Sequence, residues 1–150
     1  MLLALLLACA RDGVWTLGRD GDPVDNCEGE PPAAVLAPVD AVLAYSNDER
    51  WTFTPVGQAT WFCLDGELDT FVCSGPDAVQ DYTEVGLAAV VRWDDVIEGS
   101  WEGTGQWVGT RTVERTCEGE GCAAFAEQDV EFCALEEPIT AERRGPLPEG

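Results

Sequence analysis

From Ile97 to Cys117 the chain sorts its residues by parity. Odd positions hold Ile97, Gly99, Trp101, Gly103, Gly105, Trp107, Gly109, Arg111, Val113, Arg115 and Cys117, and even positions hold Glu98, Ser100, Glu102, Thr104, Gln106, Val108, Thr110, Thr112, Glu114 and Thr116. A period of two sends alternate side chains to opposite faces of an extended backbone, so one face is apolar and the other polar. A helix cannot satisfy that pattern. The stretch is too long for one strand, and Thr104-Gly105 supplies the turn or bulge in its middle. Glycines alternating with tryptophans on the inner face suit a tightly curved sheet, where a missing side chain leaves room for a large neighbour.

Other segments carry the same period. Val39, Ala41, Leu43 and Tyr45 share one face, Asn47-Asp48-Glu49 turns, and Trp51 and Phe53 alternate with Thr52 and Thr54. A second hairpin runs from Thr60 through Leu64, turns at Asp65-Gly66, and returns from Leu68 to Cys73. Tyr82 to Trp93 is rich in β-branched residues and reads as a strand buried on both sides, followed by a turn at Asp94-Asp95. Pro31 to Pro38 is Pro/Ala-rich and irregular. A last strand spans about Val130 to Leu135, and the proline-bearing residues 137–150 read as a disordered tail. With 150 residues, one β domain over 13–136 is the expectation.

The fold class is therefore all-β, an antiparallel meander of about eight strands. Closure into a barrel disposes of exposed edges, while a two-sheet sandwich stands as the alternative. Gly13-Val14-Trp15 resembles the Gly-x-Trp that opens lipocalins and lipocalin-like barrels. That resemblance implies a tryptophan packed on an arginine of a late strand, a part open here to Arg111 or Arg115. It also makes the barrel mouth the default pocket, with Trp15, Trp101 and Trp107 as ligand or core aromatics.

Seven cysteines are present. Cys63 and Cys73 flank a turn closely enough to bridge the hairpin. The other four pair as Cys117–Cys122 with Cys27–Cys133, or as Cys27–Cys117 with Cys122–Cys133. The seventh, Cys9, ends the apolar run Met1-Leu2-Leu3-Ala4-Leu5-Leu6-Leu7-Ala8. Leu6-Leu7-Ala8-Cys9 resembles the lipobox of bacterial lipoproteins; the other readings are an ordinary secretory signal or a buried N-terminal strand. The lipobox resemblance implies removal of residues 1–8, acylation of Cys9, and a short linker over residues 9–12. Because Ala10 rather than Asp follows Cys9, it further implies the outer membrane over the inner. Removing Cys9 from the count leaves an even six for disulfides, as befits an exported chain.

Eight Lys+Arg stand against 29 Asp+Glu, a formal net charge of -21. Such a surface repels phosphate backbones, which argues against nucleic acid as a partner. The chain has no histidine, and this removes His-based nucleophile systems and His-bearing zinc sites. Carboxylate-only glycoside hydrolysis survives on paper through Glu67, Asp69, Asp94 and Asp95, although nothing in the sequence opposes two of them across a cleft. Asp20, Asp22, Asp25 and Asn26 before Cys27 resemble a fragment of the calcium-binding thrombospondin type-3 repeat; a solvated turn is the preferred reading and no cofactor is expected. The expectation is a monomeric, non-enzymatic, lipid-anchored envelope protein with a binding or structural role, for a small hydrophobic or sugar ligand or a protein. The alternative is a secreted sugar-binding domain that uses exposed tryptophans among Trp15, Trp51, Trp61, Trp93, Trp101 and Trp107.

Overall fold

The structure, a computed structural model, describes residues 11–27, 33–128 and 132–147. The Cys9 lipidation site and the signal segment 1–8 lie outside them. Ten strands form: β1 (Gly13–Arg19), β2 (Val24–Asp25), β3 (Val39–Tyr45), β4 (Arg50–Pro55), β5 (Trp61–Asp65), β6 (Thr70–Ser74), β7 (Ala78–Asp81), β8 (Val90–Trp101), β9 (Gln106–Glu118) and β10 (Phe132–Gly145). Neighbours in the sheet run β1-β3-β4-β5-β6-β8-β9-β10, and β10 pairs back onto β1, with Leu17 opposite Ala141. All pairings are antiparallel. The result is a closed eight-stranded barrel of the up-and-down kind, in agreement with the lipocalin-like architecture and not with the sandwich.

The parity pattern accounts for β8 and β9. Ile97, Trp101, Trp107, Arg111 and Val113 face inward and buried, and the turn falls between Trp101 and Gln106. The two remaining strands extend the barrel at one end. The β8 residues Val90–Trp93 pair with β7, and Leu135–Glu136 of β10 pair with β2, beyond the reach of β6 and β1. The three disulfides are Cys27–Cys133, Cys63–Cys73 and Cys117–Cys122. Cys63 and Cys73 sit directly opposite each other on β5 and β6. Cys27–Cys133 ties the loop after β2 to β10.

Three expectations need correction. Residues 137–145 are no tail: they form most of β10 and close the barrel, with Ile139 and Ala141 buried against β1. The domain therefore does not stop at residue 136. Asp94-Asp95 is no turn but the middle of β8, with Asp95 pointing inward. The strand expected from Tyr82 begins only at Val90; Thr83–Val85 is a 3-10 turn ended by Gly86 at φ 85, a left-handed conformation that glycine adopts without a Cβ clash.

The barrel interior is filled with rings. Trp15, Trp51, Trp61, Trp107, Phe53 and Phe71 are fully buried, with Trp101 nearly so. Trp51 lies 5.1 Å from Trp101, Phe53 5.2 Å from Trp61 and Phe71 5.3 Å from Trp107, centroid to centroid. The first is tilted, the second stacked and the third edge-on, and such ring contacts add to the burial of area.

Candidate functional site

The two ends of the barrel are built differently. At one end Arg111, on β9, reaches inward to two carboxylates. Its Nε and Nη2 donate to the two oxygens of Asp95 at 2.8 and 2.7 Å, and Nη1 donates to Glu137 Oε2 at 3.2 Å and to the Ala34 carbonyl at 2.9 Å. Glu137, with no exposed surface, also accepts the Leu36 and Ala37 amides at 2.7 and 2.8 Å. This network seals that end by pinning the 33–38 segment across it. Burial raises the pKa of Asp95, partly countered by its bonds to Arg111. Burial by itself would lower the pKa of Arg111, but its bonds to Asp95 and Glu137 outweigh that and raise it. Every polar group here has a partner, so the cluster reads as a structural plug.

The opposite end is open. A cup of about 450 Å³ lies between the β3–β4 turn and the β5–β6 hairpin, lined by Arg11, Tyr45, Asp48, Glu49, Asp65, Gly66, Glu67, Asp69, Thr70 and Trp101. Asp65 organises its floor. Its Oδ1 accepts the indole N–H groups of Trp51 and Trp101 at 2.8 and 3.0 Å, and its Oδ2 accepts the Tyr45 hydroxyl at 2.8 Å. Burial raises the Tyr45 pKa above its ordinary value. Arg11, 8% exposed, lies across the Trp101 ring with its guanidinium carbon 4.1 Å from the centroid. Its nitrogens stand 3.7 Å from both Asp65 and Asp69, and the Arg11 carbonyl accepts the Trp15 indole N–H at 2.9 Å. The cup thus sets one cation, paired with Asp65 and Asp69, among five carboxylate residues, and is electronegative.

Arg11 is the residue that sequence reasoning missed. The segment 9–12 was expected to be a linker, yet Arg11 and Asp12 are built into the barrel. Asp12 accepts the Tyr45 amide through its side chain, and its carbonyl accepts two bonds from Arg143. The local signal was slight: one cation in a chain with few, preceding Gly-x-Trp.

The anticipated residues fall as follows. Trp15 and Trp101 pack edge-on at 5.9 Å, and Trp107 is core. Arg111 stands over Trp61 at 5.8 Å, and Arg11 supplies the cation at the Trp15–Trp101 end. Arg115 sits half-buried on the part of β9 that projects past the barrel. Neither arginine expected to meet Trp15 does so in the ring contacts observed. Five of the six tryptophans are buried, and only Trp93 is partly exposed. Glu67 and Asp69 border the cup, whereas Asp95 lies about 20 Å away along β8, counted from Trp101, and Asp94 points outward. Asp20 and Asp22 lie in the exposed segment before β2 and Asp25 is an exposed residue of β2; Asp25 accepts the Cys27 amide at 2.8 Å, and among the described residues no group of three or more acidic or cysteine side chains is placed to hold a metal.

The fold and site define a closed, disulfide-stapled β-barrel of lipocalin-like architecture with a packed interior and an acidic cup at its mouth. Comparison with protein-family models, curated proteins and solved structures found no match. Three disulfides indicate an extracytoplasmic location. No helix among the described residues is long and apolar enough to cross a membrane.

Proposed function

We propose that the protein is a monomeric, non-enzymatic lipoprotein of the bacterial cell envelope, anchored through acylated Cys9 in the outer membrane rather than the inner, whose barrel serves as a rigid binding scaffold. The observation that carries this reading is the pairing of Cys27, Cys63, Cys73, Cys117, Cys122 and Cys133 among themselves. No thiol of the chain is left for Cys9, which fits a cysteine consumed by lipid. The chain enters the barrel immediately after it, at Arg11, on the rim of the cup.

Binding on this reading belongs to the rim and not to the interior. The ring-filled core offers a lipocalin-type ligand little space, and the buried tryptophans offer sugars few faces to stack on. The cup combines carboxylates with aromatic edges, a chemistry suited to a basic group such as the lysine or arginine side chain of a partner protein. The test is intact mass of protein from the membrane fraction. Loss of residues 1–8, gain of acyl chains, and release into the soluble fraction by Cys9→Ser are expected. An unacylated, soluble wild-type chain would overturn the anchor. For the cup, a basic peptide should bind in a salt-sensitive manner and weaken about tenfold in Glu67→Gln/Asp69→Asn; equal binding by the variant would remove the cup from the reading.

A further inference from the structure

The outward face of the β5–β6 hairpin is apolar. Phe62 is 68% exposed, Leu64 51%, Val72 46%, and Leu68 at the hairpin tip 93%. Leu64 and Val72 sit opposite each other across the two strands, with Phe62 one outward position along from Leu64. Both strands lie inside a closed barrel and have both neighbours, so the face is not a sheet edge awaiting another strand. The outward side chains of β4, β5 and β6 include no carboxylate, and their only charge is Arg50, opposite Leu64. On a chain with 29 Asp+Glu and a net charge of -21, three adjacent strands without an outward carboxylate are out of keeping with the rest of the surface; carboxylates border the face at Glu98, opposite Val72 on β8, and at Glu67 and Asp69 on the hairpin tip.

The position of this face relative to the tether selects its occupant. Asp69, at the hairpin tip beside Leu68, stands 3.7 Å from the Arg11 guanidinium. Only Ala10 separates Arg11 from Cys9, and extended chain covers at most about 7 Å over those two positions. Arg11 and Asp12 are themselves fixed to the barrel by Trp15, Trp101, Tyr45 and Arg143. A lipid on Cys9 therefore holds the hairpin next to the bilayer with little slack.

We infer that the outer face of the β5–β6 hairpin is a second, non-covalent membrane contact that lays the tethered barrel on its side against the bilayer. This rests on the lipoprotein reading for the tether. Phe62, Leu64 and Val72 enter the interfacial region, Leu68 reaches it from the tip, and Arg50 meets lipid phosphate.

The test separates the hairpin from the anchor. Chain 9–150 carrying Cys9→Ser, which has no acyl group, is sedimented with vesicles of phosphatidylethanolamine and phosphatidylglycerol at millimolar lipid. Binding is expected, weakened about tenfold by Phe62→Asp and by Leu64→Asp, and unchanged by Thr110→Asp on the outer face of β9. These positions are exposed, and an unaltered thermal midpoint verifies folding; Leu68→Ser at the tip gives a second measure without a charge. No sedimentation, or equal sedimentation of all variants, overturns the membrane contact. Self-association abolished by Leu64→Asp, without vesicle binding, would overturn it as well and assign the face to a second copy. The mass of the wild-type membrane fraction reads the anchor independently, so a failed tether and a failed hairpin give different results.

Discussion

Phe71 occupies the space that a side chain on Gly99 would need. A Cβ built on Gly99 would stand 2.5 Å from Phe71 Cζ and 2.5 Å from the Val108 carbonyl oxygen. Gly99 is also paired directly with Gly109, whose own Cβ would approach the Glu98 carbonyl at 2.8 Å. The glycine pair lets β8 and β9 curve while Phe71, Trp101 and Trp107 fill the barrel. Gly99→Ala should destabilise by about 3 kcal/mol, the upper end for overpacking, because one obstacle is backbone and cannot change rotamer. Urea denaturation of the two proteins measures it; a loss well under about 1 kcal/mol would mean that the ring has somewhere else to go.

Asp65 holds three buried or half-buried donors. Asp65→Ala strands the indole N–H groups of Trp51 and Trp101 and the Tyr45 hydroxyl, and should cost about 3 kcal/mol or more. Asp65→Asn keeps one acceptor oxygen and should cost less. Near-ultraviolet circular dichroism, dominated by the packed tryptophans, should change more in the alanine variant.

Tyr45 gives a prediction in alkali. Burial raises its folded pKa above the ordinary value of 10.0, so the neutral phenol favours the fold. That contribution is complete below the unfolded value and is lost as pH rises through the raised folded one. Absorbance at 295 nm, taken as wild type minus Tyr45→Phe, should show phenolate forming above the ordinary tyrosine range. Titration at or below about pH 10 would contradict a buried hydroxyl.

What could be read in the sequence and what could not divide along the range of the interactions involved. The alternation of β8 and β9 was legible because one face meets the core and the other meets water, a rule each residue obeys locally. Cys63–Cys73 was legible because the hairpin brings its ends together. Residues 137–145 were not, because Glu137 and Pro138 interrupt the apolar period where β10 continues. Glu137 can be buried only because the Leu36 and Ala37 amides and Arg111 meet it, and those amides lie 101 and 100 residues away in sequence. Asp95 was mistaken for a turn residue for the same reason: its inward orientation makes sense only with Arg111 opposite. Arg11 belonged in the same class, a charge whose partners, Trp101, Asp65 and Asp69, are all distant along the chain.

Removal of Arg111 should show how much of the sealed end depends on charge balance. Arg111→Met leaves Asp95 and Glu137 buried without their counter-ion, which should cost about 3–5 kcal/mol at neutral pH. Burial already raises Asp95 and Arg111 opposes that rise, so without the guanidinium the Asp95 pKa climbs further. A carboxyl with a raised folded pKa contributes stability that is present below the unfolded value of 3.8 and lost as pH rises through the folded one. The difference in thermal midpoint between wild type and variant should therefore narrow at about pH 4 and widen toward pH 7. A difference independent of pH would mean that Arg111 acts through packing on Trp61 alone.

The three disulfides should be unequal, and their loop lengths say by how much. Sequence separations are 106 for Cys27–Cys133, 10 for Cys63–Cys73 and 5 for Cys117–Cys122. If each acts by restricting the unfolded chain, their losses should be about 5, 3 and 2 kcal/mol in that order. Local structure works in the same direction. Cys63–Cys73 joins strands whose register is already set by the buried alternation of β5 and β6, and Cys117–Cys122 closes a turn beyond the barrel. Cys27–Cys133 alone ties the poorly paired β2 segment to β10, the strand that closes the barrel. Paired Cys→Ala variants compared by denaturant titration give the order. A larger loss for Cys117–Cys122 than for Cys27–Cys133 would show that native-state packing around the extension outweighs chain entropy.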